Sequence, residues 1–244
     1  MDLDPDLAAL RPLGGFFVLR TAGAPADPPP TLAQAYAHRT EDVYADSITF
    51  RVHLVADRIH TSELRVSASI AQQALAARLW SVALGCAVLY GSVPDLDPRL
   101  LHWDAAASAP DDLWLLEVHS RAADAATVAD LVVRGHLEPL NAALHARYGV
   151  AEGLLWGNAG SALAGAAREV ERWARGAGTD AGTRALALAA ELFTHPRLAP
   201  TGTLTGGSFR RRSCCLYYRV PGGGLCGDCC FTRNPWSSPG AVSG

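Results

Sequence analysis

The apolar positions of this chain recur mostly at helical spacing. Across residues 47–60, Ile48, Val52, Val55 and Ile59 repeat every three or four positions, while Ile48, Phe50, Val52 and Leu54 alternate as a strand would. The helical spacing persists further along the chain, so a helix is expected here. Residues 63–90 are apolar on nearly every side, through Ile70, Leu75, Trp80, Val82, Leu84 and Val88. That pattern predicts a helix at the centre of a bundle, with Thr61 or Ser62 as its cap and Glu63 in its first turn. Thr31-Leu32-Ala33-Gln34 follows Pro28-Pro29-Pro30 in the form of a capping box, which predicts a helix over about 31–44.

Further helices are expected at about 127–134, 137–148, 153–175 and 183–193, with Gly149 and the 176–182 region as stops. Between the central helix and these, 101–103 and 113–118 alternate around a loop of Ala, Ser, Pro and Asp, which suggests a β-hairpin. The apolar patch Gly15-Phe16-Phe17-Val18-Leu19 is expected to pack locally, and residues 201–207 read as a flexible or turning connector. The expected fold is therefore mainly α: a helical domain over 1–200 with a small β-hairpin, then a loop-rich C-terminal segment over 201–244.

Composition narrows the functional classes. The chain has 244 residues, 49% of them hydrophobic, and a formal charge of −3, which excludes a strong pull toward nucleic acid or an anionic membrane. All 21 basic residues are Arg, so a single Arg carries less information than usual. The start is acidic where a secretory signal is basic, and the longest near-continuous apolar run, 82–90, is about half the ~20 residues that span a bilayer. No transmembrane segment and a cytoplasmic location are expected.

The chemistry is concentrated at the C-terminal end, where five of the six cysteines lie. Cys214 and Cys215 are adjacent; ten intervening residues separate them from Cys226 and two more separate it from Cys229, with Cys230 next. In a reducing compartment, clustered thiols point to metal or redox chemistry. Cys226-Gly227-Asp228-Cys229 is a metal knuckle, whereas Cys214 and Cys215 reach one site only if the backbone turns there. Four thiolates suffice for a 2Fe-2S cluster or for structural zinc, and spacing alone leaves both open. Residues 197–233 hold six Arg and one Asp, a local net of +5. Arg211, Arg212 and Arg219 are thus candidates for favouring a reduced cluster, for attracting an anionic substrate or donor, or for plain solvated charge. Cys86, inside the central apolar helix, reads as a small buried residue, and the eight His show no metal-ligand spacing.

The run Arg211-Arg212-Ser213-Cys214-Cys215-Leu216-Tyr217-Tyr218-Arg219-Val220-Pro221, followed by Cys226-Gly227-Asp228-Cys229, resembles the C-terminal signature of FhuF-type ferric-siderophore reductases. Leu154-Leu155-Trp156-Gly157-Asn158 is similar to that family's Trp-x-Asn segment. The resemblance implies that Cys214, Cys215, Cys226 and Cys229 ligate a 2Fe-2S cluster, and that the protein reduces Fe(III) in an imported ferric siderophore. A low-potential donor such as a ferredoxin or flavoprotein is then implied. Cys230 departs from the minimal pattern. Trp156 and Asn158 read either as core residue and helix cap or as the lining of a substrate groove near the cluster. Two other classes stay open: an iron-sulfur redox or iron sensor that does not turn over, and a siderophore-binding accessory protein.

Overall fold

The computed structural model describes residues 3–21, 27–37, 40 and 42–235. Its centre is α3 (Leu64–Tyr90), which packs most extensively on α6 (Glu152–Ala177), with α2 (Ser47–Arg58) and α7 (Ala181–Leu192) against them. Burial of α3 follows from its lack of a polar face: Val66, Leu79, Trp80, Val82, Leu84 and Cys86 are almost wholly enclosed. By length and composition α3 is apolar enough to cross a membrane, but 72% of that stretch is buried inside the protein, as a core helix is. The apolar surface of α3 reaches well beyond 82–90, because its Ala, Ser and Gly residues extend it without forming a continuous run.

Helix boundaries follow local chemistry. At α1 (Leu32–Ala37) Thr31 Oγ1 accepts from Gln34 N–H at 3.2 Å, and Gln34 Oε1 accepts from Thr31 N–H at 2.8 Å, the reciprocal pair expected. The helix is shorter than 31–44: residues 38, 39 and 41 lie outside the described residues, and 43–45 form a turn. Asp46 caps α2 through Thr49 N–H at 2.9 Å. Helix α3 has Glu63 at its cap position without a side-chain cap bond, and Thr61 Oγ1 accepts from Glu63 N–H instead. It ends at Gly91, whose φ of 73° is the left-handed cap that glycine adopts without a Cβ penalty.

The two helices expected at 127–134 and 137–148 are one continuous rod. Helix α4 (Ala125–Ala129) runs through a π-helical stretch, Asp130–Leu137, into α5 (Glu138–Tyr148). His136 in that stretch is fully buried, 2.9 Å from Tyr36 Oη and 2.5 Å from the Leu96 carbonyl.

Three two-stranded antiparallel pairs decorate the helices. Strands β2 (Leu101–Trp103) and β3 (Leu113–Leu115) form the expected hairpin, with Leu101 opposite Leu115. A second pair, β1 (Ser92–Pro94) with β4 (Ser120–Ala122), closes the ends of the same excursion. The third, β5 (Gly202–Thr205) and β6 (Ser208–Arg211), replaces the connector read from the sequence. Gly206 and Gly207, at φ 54° and 82°, make the tight turn whose twist suits a hairpin.

The N-terminal patch does more than pack locally. Leu7, Leu10, Phe17 and Leu19 belong to the main core. Arg78 of α3 fixes their loop: its guanidinium donates to the Gly15, Phe16 and Val18 carbonyls and forms a buried pair with Asp112 at 2.8 Å.

Candidate iron-sulfur site

The β5–β6 hairpin decides which tail residues face inward. Along β6 the exposure alternates: Ser208 and Arg210 point out, Phe209 and Arg211 point in. Phe209 stacks on Phe193, with ring centroids 5.1 Å apart. Arg211, on the same face, enters the interior at 2% exposure. Its Nη2 donates to Asn158 Oδ1 and, at 3.4 Å, to the Leu154 carbonyl, both on α6. Asn158 in turn donates from Nδ2 to the Ser69 carbonyl and Oγ, and Ser69 Oγ donates to the Cys215 carbonyl at 2.8 Å. One polar chain therefore links α3, α6, Arg211 and the first cysteine pair.

Beyond Ser213 the backbone turns, as two adjacent ligands require. Leu216 adopts a left-handed conformation at φ 68° and opens a short 3-10 turn, Tyr217–Arg219. Leu216 N–H approaches Cys214 Sγ at 3.2 Å. The second turn is closed by Cys229 N–H to the Cys226 carbonyl at 3.1 Å, and Phe231 N–H approaches Cys229 Sγ at 3.4 Å. Backbone N–H groups aimed at sulfur favour the thiolate. The two turns meet where Cys215 Sγ lies 3.6 Å from Cys226 Sγ. That contact pulls the Cys215 thiol down to about 7 and pushes Cys226 well up. Burial, then the neighbouring thiols, raises Cys214 and Cys230.

Further contacts hold the tail together and against the helices. Arg211 N–H donates to the Asp228 carbonyl at 3.0 Å, tying β6 to the second turn. The Asp228 carboxylate accepts from Ser161 Oγ at 2.5 Å and pairs with Arg168 at 3.2 Å, both on α6. Arg219 forms a fork with Glu63 at the start of α3, at 2.7 and 3.0 Å, and this holds the Glu63 carboxyl below its usual range. Tyr218 and Phe231 meet edge to face across the mouth of the loop, 5.8 Å between centroids. Gly157 makes the docking sterically possible, since a Cβ there would run into the Ser213 hydroxyl and crowd Arg211 Nη2.

The residues fit an anionic, sulfur-ligated group. All five tail thiols are free, and Cys215 is buried while the other four are partly exposed. Among the described residues no three His, Cys, Asp or Glu side chains already form a single-ion cage; the thiols are instead shared between two turns. Beside them, Arg211 Nε and Nη1 and the Ser213 hydroxyl are buried without a protein partner. A buried donor costs free energy unless it is hydrogen-bonded, and Arg211 and Ser213 lie three and one residues before Cys214.

The other sequence candidates are separated. Asn158 is not a helix cap: α6 begins at Glu152, leaving Asn158 in its second turn and fully buried. Trp156 is 8% exposed, with the Arg197 guanidinium stacked 5.4 Å over its ring. Arg212 is exposed and donates to the Pro200 carbonyl. Cys86 is wholly buried in α3, and burial pushes its thiol far up.

One feature of the site was not anticipated. A cleft of about 430 Å³ opens between the N-terminal loop at Phe16, α3 at Gln73 and Ser81, and α6 at Ser161 and Arg168, with Asp228 at its edge. Its only sequence signal was the apolar patch around Phe16.

A helical body with a docked, cysteine-rich tail defines a small iron-sulfur protein. Residues 211–231 match the FhuF 2Fe-2S C-terminal domain, and residues 87–206 match the ferric iron reductase FhuF-like transporter family. The two matches together cover more than half of the chain, which belongs to the FhuF-like family and carries a 2Fe-2S cluster. No curated protein matches the chain closely.

Proposed function

We propose that this protein reduces Fe(III) in a ferric siderophore by one electron and so releases Fe(II), with Cys214, Cys215, Cys226 and Cys229 holding the cluster. The meeting of the two cysteine-bearing turns at Cys215 and Cys226 carries the assignment. When bound, the cluster supplies single electrons, with a potential set by charge, hydrogen bonds and exposure. Oxygen donors hold the hard Fe(III) ion far better than Fe(II), so one electron weakens the complex.

The chain's own residues then have three tasks. Cys214, Cys215, Cys226 and Cys229 would hold the redox centre, with Cys230 as a spare thiol. Asp228, clamped by Ser161 and Arg168, holds the second turn against α6. The cleft edged by Asp228 receives the siderophore complex, because it brings substrate-sized space beside the cysteine loop. Residues 1–200 act as the docking body and 201–244 as the cluster segment, in the cytoplasm, where a ferredoxin or flavoprotein reloads the site.

Single Ser substitutions test the ligand set on anaerobically purified protein. Cys214→Ser, Cys215→Ser, Cys226→Ser and Cys229→Ser each lose the visible and electron paramagnetic resonance signals of the cluster, while Cys230→Ser keeps them. A colourless wild type carrying zinc, or a cluster-loaded wild type that gives no ferrous iron from any ferric hydroxamate with dithionite, overturns the proposal.

A further inference from the structure

Of the arginines around the cysteines, Arg211, Arg212 and Arg219 have different electrostatic standing. Arg219 is neutralised by its fork with Glu63. Arg212 is exposed, so water and salt screen its charge. Arg211 is buried at 2% exposure, its only side-chain partners are the neutral oxygens of Asn158 and Leu154, and no carboxylate pairs with it among the described residues. A guanidinium cannot shed its proton, so Arg211 places a full, poorly screened positive charge in the interior.

Its position is between the two ligand-bearing turns. It precedes Cys214 by three residues, and its own N–H is bonded to Asp228, which lies between Cys226 and Cys229. An uncompensated buried charge is strongly unfavourable unless an opposite charge answers it. A 2Fe-2S cluster held by the four cysteines would be such an answer, since thiolates and sulfides together outweigh the charge of two ferric ions. The orphaned Nε and Nη1, with the Ser213 hydroxyl, are the donors left over for that anion.

We infer that Arg211, alone among the three arginines, raises the reduction potential of the 2Fe-2S site, acting as its buried counter-charge and hydrogen-bond donor. The inference rests on the ligand set proposed above. Adding an electron makes the site more negative, and a fixed cation nearby stabilises the reduced form more than the oxidised one. Asn158 is the positioning residue. It holds the guanidinium through a neutral oxygen, which orients the charge without cancelling it. The hidden Trp-x-Asn segment thereby serves the redox centre from within α6.

The test is a potentiometric titration of the cluster, followed by electron paramagnetic resonance, in holoprotein of the wild type and five variants. Arg211→Met shifts the potential down, so that at fixed ambient potential the reduced-to-oxidised ratio falls about tenfold or more, equivalent to ~59 mV for one electron. Arg211→Lys restores most of the loss. Asn158→Asp keeps the guanidinium but sets a carboxylate on it, and also lowers the potential. Arg212→Met and Arg219→Met stay near the wild-type value. If Arg211→Met fails to hold a cluster, Asn158→Asp and Arg211→Lys decide. Wild-type potentials in both Arg211→Met and Asn158→Asp, or falls just as large in Arg212→Met and Arg219→Met, overturn the role of Arg211. A wild type that holds no cluster overturns instead the ligand assignment beneath it.

Discussion

Two buried guanidiniums, Arg78 in the body and Arg211 at the tail, are nearly equally enclosed, at 1% and 2% exposure, yet they are treated in opposite ways. Every nitrogen of Arg78 has a partner: Asp112 cancels its charge and three backbone carbonyls accept from its two terminal nitrogens. Arg211 has no carboxylate and two idle nitrogens. Other ionisable groups of the body resemble Arg78. Asp46 pairs with Arg147 at 2.6 Å, and His136 is bonded at both ring nitrogens. Gln72, Trp80 and Asn141 each leave an atom unpartnered, but they are neutral. The body thus spends its buried charges on holding itself together, whereas the tail interface keeps one in reserve for a group the chain does not itself provide.

The contrast is open to attack at several points. Arg78→Met leaves Asp112 buried and unpaired and releases the N-terminal loop, and is expected to destabilise the fold by about 3–5 kcal/mol in urea unfolding. A loss much smaller than that would mean the body's ion pair is not what holds the loop.

His136 gives the next effect, as a slope with pH. Burial holds its imidazole down at about 4, against an unfolded value of 6.5. Its contribution is complete above about pH 6.5 and is lost as pH falls toward 4, because only the unfolded chain takes up the proton there. The loss is on the order of 3 kcal/mol. Thermal unfolding of wild type and His136→Gln at pH 7 and pH 4.5 checks this, with the flatter profile expected in the variant.

The smallest effect, about 1–3 kcal/mol, belongs to Gly157→Ala, which pushes a methyl group against Ser213 and Arg211. Body helices should melt as before while iron content per chain falls, as measured by iron analysis after gel filtration. Equal iron content would show that the tail does not need this close approach.

Much of the body was legible because local chemistry and burial agreed there. The capping box at Thr31, the all-round apolar α3 and the Gly149 stop each depend on a few neighbouring residues. The gap between the helices expected at 127–134 and 137–148 holds Gly135 and His136; the contacts of His136 with Tyr36 and Leu96, distant in sequence, lie where the helix runs through it. The β5–β6 hairpin was missed because Gly and Thr dominate it and only Leu204 and Phe209 signal a strand pair. That omission mattered. Without the period-two register of β6, nothing distinguishes Arg211 from Arg210 or Arg212, and Asn158 looks like a cap for want of the guanidinium it holds. The cysteine spacing stood out at once, because thiol clusters are informative without any three-dimensional context.

The reach of the tail's anchoring contacts sets an order of assembly. Ser69 to Cys215 spans 146 residues and Glu63 to Arg219 spans 156. Contacts so far apart along the chain form late, since the entropy of closing the loop must be met before they stabilise anything. The helical pair α3 and α6 therefore has to be in place before the cysteine turns have a surface to settle on. The surface on which the cysteine turns rest is thus built by residues far upstream: Glu63 and Ser69 at the start of α3, and Ser161 and Arg168 on α6.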